Sequence, residues 1–168
     1  MFSRKGYLFI LLLVITVVLF LPTLNNKSIN LDDPQYVFQN TDIQDFKINN
    51  IKLLFKSTYV GNYQPISMFT YLIDYKIWGA NAKGFHLTNL IFHTINTLLL
   101  FYLITFLFKN SQIAFISALL FSIHPMHVES VAWISARKDL VYVFFSCFQL
   151  FFTCYLNKKG KNCCFFFR

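Results

Sequence analysis

The sequence predicts an all-α, multi-pass transmembrane bundle of about four spans, with amphipathic surface helices in the first extracytoplasmic loop. Three observations predict it. Long apolar runs recur along the 168 residues. Charged residues make up 13% of the chain, where soluble domains carry about 25%. Aromatics make up 20%, including 22 phenylalanines, large apolar side chains that lipid tolerates and an aqueous surface does not. The formal charge of +8 would suit a nucleic acid, but the basic residues form no single patch. Several flank apolar runs, where they anchor helix ends to headgroups. Membrane lipid is therefore an expected partner and nucleic acid is not.

Taken in order, residues 1–6 form a cytoplasmic N-terminus holding Arg4 and Lys5, and 7–24 form the first span. That span begins like a signal peptide, but its apolar core runs on through Leu21 and Pro22 and no small-residue cleavage pattern follows. Residues 25–85 form an extracytoplasmic loop with amphipathic stretches at Ile51–Lys56 and Ile66–Trp78, punctuated as turns at Gly61-Asn62 and Gly79-Ala80-Asn81. Trp78 and the tyrosines suit headgroup level. A second span, 86–108, leads through a tight cytoplasmic turn at 109–111 into a third at 112–123. At 1.5 Å per residue the third covers roughly 18 Å, against a hydrocarbon core of ~30 Å. An extracytoplasmic loop at 124–139 precedes the fourth span, 140–156, and a cytoplasmic tail at 157–168.

Charge asymmetry sets this orientation: Arg4, Lys5, Lys109, Lys158, Lys159, Lys161 and Arg168 fall inside with no acid, and all seven acids fall outside or at the boundary. The four cysteines make no disulfide framework. Cys147 and Cys154 lie in an apolar run, and Cys163 and Cys164 are adjacent tail thiols within reach of palmitoylation.

Three polar constellations are costly beside a bilayer. Asp32-Asp33-Pro34 suits a general base or a carboxylate orienting an acceptor hydroxyl; equally, Asp-Pro opens helices as a cap or turn. On the second span His86, Asn89, His93, Asn96 and Thr97 share one face at 100° per residue. Such a stripe faces a wet cavity or bonds neighbouring helices together. Residues 124–139 place His124, His127, Glu129, Arg137, Lys138 and Asp139 between two spans, with Pro125 breaking the third helix. His124, His127 and Glu129 are candidate metal ligands, but they lack the helical i, i+4 spacing of a metalloprotease. No metal or other cofactor is favoured. Arg137 and Lys138 suit a phosphate beside the membrane, or snorkelling to the interface. A Gly-rich phosphate loop, a nucleophile elbow and a CxxC are all missing, so soluble-nucleotide chemistry has no support.

Residues 31–40 (LDDPQYVFQN), 61–101 and 119–140 (LLFSIHPMHVESVAWISARKDL) also resemble the N-terminal membrane region of the transmembrane and tetratricopeptide-repeat family and its bacterial relatives. The H-P-x-H-x-E-x-V-A-W segment is the most specific part. The resemblance implies a GT-C glycosyltransferase related to protein O-mannosyltransferases. Such an enzyme moves a sugar from a polyprenyl-phosphate donor to a protein or glycan acceptor on the extracytoplasmic side. By that resemblance Asp32 or Asp33 is catalytic, and His124, His127, Glu129, Arg137 and Lys138 line the donor phosphate site; His86 and His93 of the polar stripe join them as candidate substrate-binding residues. The membrane would be a bacterial inner membrane or the endoplasmic reticulum. Two departures stand out: Gln64 replaces a His or Arg before the proline, and the chain stops after the fourth span without tetratricopeptide repeats, like a truncated or frameshifted end. The chain by itself is expected to be inactive or nearly so. A non-catalytic membrane module or scaffold is the competing expectation, and a small transporter a weaker one.

Overall fold

The computed structural model describes residues 4–159; the expected tail thiols Cys163 and Cys164, and the rest of 160–168, lie outside the described residues. Seven α-helices form among the described residues: α1 (Arg4–Phe20), α2 (Ile48–Leu54), α3 (Pro65–Trp78), α4 (Ala82–Phe108), α5 (Ser111–Ile123), α6 (Met126–Ala132) and α7 (Arg137–Lys159). No strand forms among the described residues. By length and hydropathy three stretches can each cross a bilayer: Arg4–Asn25, Ala82–Phe108 and Ile134–Leu156. A fourth crossing exists if α5 and α6, bent by 63°, count as one broken span. The all-α multi-pass bundle is thus the observed architecture.

Local chemistry sets the helix ends. Gly79, at φ 60°, adopts a backbone that L side chains avoid, and it lets α3 turn into α4. Asn81 then caps α4, its side-chain oxygen accepting from Lys83 N–H (3.1 Å), so the helix starts four residues before the expected span. At the far end Lys109 takes a left-handed conformation and Asn110 caps α5, accepting from Gln112 N–H (2.9 Å) and Ile113 N–H (3.3 Å). Pro125 ends α5, because it has no N–H to donate. Its own φ of −56° and ψ of −30° are helical, and they launch α6. Much of 124–139, expected as a loop, is therefore helix: α6, a 3₁₀ turn at Ile134–Ala136, and the start of α7.

Three cores hold the elements. Residues 25–85 do more than lie on a surface, since Tyr36, Val37, Ile43, Leu54, Met68 and Leu72 form a core of their own, closed by Phe85 of α4 and Ile134. Leu12 of α1 packs against Phe101 of α4 and Ala114 and Ala118 of α5. Ala114, Ala118 and Ser122 recur every four residues, and this small-residue face lets α5 approach its neighbours closely. A third cluster joins Phe20, Leu90, Val131 and Leu140.

Candidate functional site

The corner between α6 and α7 carries the densest polar network. The Ile134 carbonyl accepts from the Tyr71 hydroxyl (2.8 Å). The N–H of Ser135 donates to Asp33 Oδ1 (3.0 Å), and its hydroxyl makes a short bond to the same oxygen. Asp33 Oδ2 accepts from Ile29 N–H (2.8 Å). Asp33 is fully buried and does not cap its own helical turn. It pins the chain after α1 to the α6–α7 corner instead. Asp32, one residue earlier, is half-buried, and its carboxylate takes no hydrogen bond among the described residues. A wide π-turn over Pro34–Phe38, closed by Gln39 N–H to the Pro34 carbonyl (2.7 Å), follows the pair.

Arg137 is the largest fully buried side chain. Its guanidinium pairs with Asp74 (2.6 Å) and donates to Asn89 Oδ1 (2.7 Å), the Phe85 carbonyl (2.9 Å) and Thr70 Oγ1 (3.3 Å). It also lies over the Tyr71 ring, 4.4 Å from the centroid. A buried charge is tolerated only when paired and hydrogen-bonded in this way. Burial pushes the Asp74 carboxyl above the usual carboxylate range, against the pull of Arg137 and of Thr88, which donates to it (2.8 Å). Burial likewise pushes the Tyr71 phenol up. The next residue, Lys138, is exposed and makes no ion pair among the described residues.

The α4 stripe faces the interior, where its members bond elements together. Asn89 donates to the Trp133 carbonyl (3.0 Å) and Asn96 to that of Leu140 (2.9 Å). His86 is buried within electrostatic range of Asp33 and Arg137. Seven residues on, about 10 Å along the helix, His93 belongs to a second cluster. Its Nε2 meets the Ser122 carbonyl (3.2 Å), which accepts and so places the ring proton there. Ser122 Oγ bonds Thr16 Oγ1 of α1 (2.8 Å). The His127 ring lies 5.7 Å from His93 and 6.0 Å from His124. Among the described residues no group of three His, Cys, Asp or Glu is placed to hold a metal, and Glu129 is exposed.

The predicted site residues therefore divide. Asp33, His86 and Arg137 meet at one enclosed corner; buried His93, half-buried His127 and exposed His124 form a second cluster, while Asp32, Glu129 and Lys138 stand outside both. Sequence reasoning missed Asp74, Ser135 and Thr70. Asp74 had a visible signal, as the only acid in the amphipathic stretch Ile66–Trp78; Ser135 had none.

No protein-family model matches the chain, and no solved structure does. Sequence relatives do match. The chain is 30% identical over 142 residues to Protein O-mannosyl-transferase F38B6.6 of Caenorhabditis elegans, covering 83% of this chain and 19% of the relative. It is 36% identical over 103 residues to Protein O-mannosyl-transferase TMTC1 of Homo sapiens, covering 61% of this chain and 12% of the relative. Against Protein O-mannosyl-transferase TMTC3 of Homo sapiens it is 27% identical over 141 residues, 78% of this chain and 15% of the relative. The chain thus spans about a fifth or less of these relatives' length. With three to four apolar helices of spanning character, it is an integral membrane protein homologous to the transmembrane and tetratricopeptide-repeat protein O-mannosyl-transferases.

Proposed function

We propose that the chain is the part of a GT-C-type protein O-glycosyltransferase that presents the catalytic carboxylate and the lipid-facing donor site. The donor is a polyprenyl-phosphate sugar, with mannose as the sugar by analogy with the relatives' names, and the acceptor is a protein hydroxyl. The observation that carries this reading is the division of labour in Asp32-Asp33. Asp33 is consumed by three hydrogen bonds, and it holds Asp32 half-open with a free carboxylate. Asp32 takes the acceptor hydroxyl's proton as that oxygen bonds to the anomeric carbon. The bond from the anomeric carbon to the phosphate oxygen breaks, and polyprenyl phosphate leaves with the electron pair. Attack from the face opposite the phosphate inverts the anomeric centre. The basic short terminal segments support a four-span orientation with both ends in the cytoplasm and Asp32 outside. The animal origin of the relatives favours the endoplasmic reticulum over a bacterial membrane.

A second reading, a non-catalytic membrane module, draws on the enclosure of Asp33, His86 and Arg137, all at most 1% exposed. Exchanging the matched segment of the human relative for this chain's residues separates the two. Under the enzyme reading the chimera transfers mannose to a Ser/Thr peptide and Asp32→Asn abolishes transfer without loss of fold. Asp33→Asn instead lowers stability by about 1.5–3 kcal/mol, as expected for a buried carboxylate losing hydrogen bonds. Unchanged transfer by a folded Asp32→Asn chimera refutes the assignment.

A further inference from the structure

From Asn25 to Asp32 no residue is buried. Asp33 is the first buried residue after that stretch, so the place of Asp32 depends on what grips Asp33. The grip comes from the far end of the chain. α6 ends at Ala132, Trp133 is extended (φ −108°, ψ 124°), and the 3₁₀ turn Ile134–Ala136 leads into α7. The opening N–H groups of a helical turn lack partners inside it. That of Ser135 donates to Asp33 Oδ1 (3.0 Å), and the Ser135 hydroxyl bonds the same oxygen. Ile29 N–H holds Oδ2 (2.8 Å), so both ends of the carboxylate are fixed.

The direction of this tie follows from what surrounds each partner. The turn is held in place: Ile134 is fully buried in the core that includes Tyr36 and Val37, its carbonyl accepts from Tyr71 (2.8 Å), and Arg137 is paired with Asp74. The stretch before Asp33 is open to solvent, so Ser135 is the fixed partner and Asp33 the positioned one. Ser135 is 3% exposed and Asp33 0%, and neither is open to a substrate. We propose that Ser135 is a positioning residue for sugar transfer, setting through Asp33 the place from which Asp32 meets the acceptor hydroxyl. The proposal rests on the assignment of Asp32 as the base. The Asp32 carbonyl accepts from Tyr36 N–H (2.9 Å), so with Asp33 also fixed, the Asp32 backbone is held on its C-terminal side. A reacting group displaced by about 1 Å can cost as much as about a hundredfold in rate. Ser135→Ala keeps the backbone N–H and removes only the hydroxyl, so the expected loss is smaller, on the order of tenfold, the scale of one hydrogen bond.

Steady-state transfer by the chimera described above tests this, with Asp32→Asn measured alongside. The expected result is a Ser135→Ala chimera whose kcat falls on the order of tenfold while KM for the peptide and for the sugar donor stays within about twofold. Ser130→Ala removes a hydroxyl from α6 that makes no bond to Asp33 among the described residues, and it leaves both constants unchanged. With Asp32→Asn inactive, an unchanged kcat in Ser135→Ala overturns the proposal and leaves the assignment of Asp32 standing. A raised KM at unchanged kcat overturns it too, since Ser135 then serves binding. Transfer retained by Asp32→Asn overturns the assignment of Asp32 and this proposal with it, whatever Ser135→Ala does. A second measurement needs no activity. In the full chain in detergent micelles, hydrogen exchange over residues 26–33 rises on the order of tenfold in Ser135→Ala and stays unchanged in α2. Equal exchange over 26–33 in wild type and variant shows that the hydroxyl does not hold the loop, and the proposal fails.

Discussion

Arg137→Met offers the sharpest test of the polar corner. The substitution keeps most of the side-chain volume and removes the charge. It leaves the Asp74 carboxylate, 3% exposed, with Thr88 as its one remaining hydrogen-bond donor, and strips a donor from Asn89 Oδ1 and from the Phe85 carbonyl. Removing one partner of a buried ion pair costs about 3–5 kcal/mol, because the other charge stays behind unpaired. Asp74→Leu costs a similar amount for the mirror reason. The double substitution removes both charges, so its cost falls short of the sum by about 1–3 kcal/mol. Unfolding in mixed micelles of mild detergent and dodecyl sulfate, followed by far-ultraviolet circular dichroism, measures all four corners of the cycle. Lys138→Met, one residue away but exposed, serves as the control and shifts stability by about 0.5 kcal/mol or less. A cost under ~1 kcal/mol for Arg137→Met, or strict additivity in the double variant, refutes the account of Arg137 as a buried, paired charge.

Two further predictions concern the first turn of α4 and the segment before it. A Cβ at Gly84 would run into the Cβ, Cγ and Cδ1 atoms of Trp78, so Gly84→Ala costs about 1–3 kcal/mol by overpacking. Trp78→Ala rescues it only in part, because the Trp78 Cβ remains; full tolerance of Gly84→Ala in the same unfolding assay contradicts this packing. The second is a pH dependence. Burial raises the Tyr59 and Tyr71 phenols above their ordinary value, assisted at Tyr59 by Asp42, which accepts its hydroxyl (2.8 Å). The folded chain therefore keeps protons that the unfolded chain releases above about pH 10. Stability from these groups is complete below that pH and is lost as the pH rises further. Tyr59→Phe and Tyr71→Phe each flatten the alkaline limb of a stability–pH profile, and an unaltered limb in both contradicts the burial.

Much of the fold was legible because it depends on local or periodic properties. Apolar runs mark helices at the positions of α1, α4 and α7, and Pro125 marks the end of α5 because a missing N–H is a local fact. The His/Asn face of α4 was legible from 100° spacing alone, and the structure turns that face inward. Helix starts were less legible, since the Asn81 cap lies outside the apolar run that signals the span. The site was legible by residue type but not by role. Asp32 and Asp33 are indistinguishable in sequence. Only tertiary contact, with Ser135 at a separation of 102 residues, makes one a buried tie and leaves the other open.

Arg137 and Lys138 show the same limit most plainly. Both are cations at the mouth of an apolar helix, and the sequence treats them as one basic pair. The α7 backbone separates them by one residue's rotation, so that one meets Asp74 and Asn89 inside and the other stays exposed. Amino-acid order by itself determined the solvent, the helical class and the places where helices break, because transfer free energy and backbone geometry are set residue by residue. Tertiary structure decided which charge is paired and which is free, because charge burial depends on partners that the chain brings together only by folding.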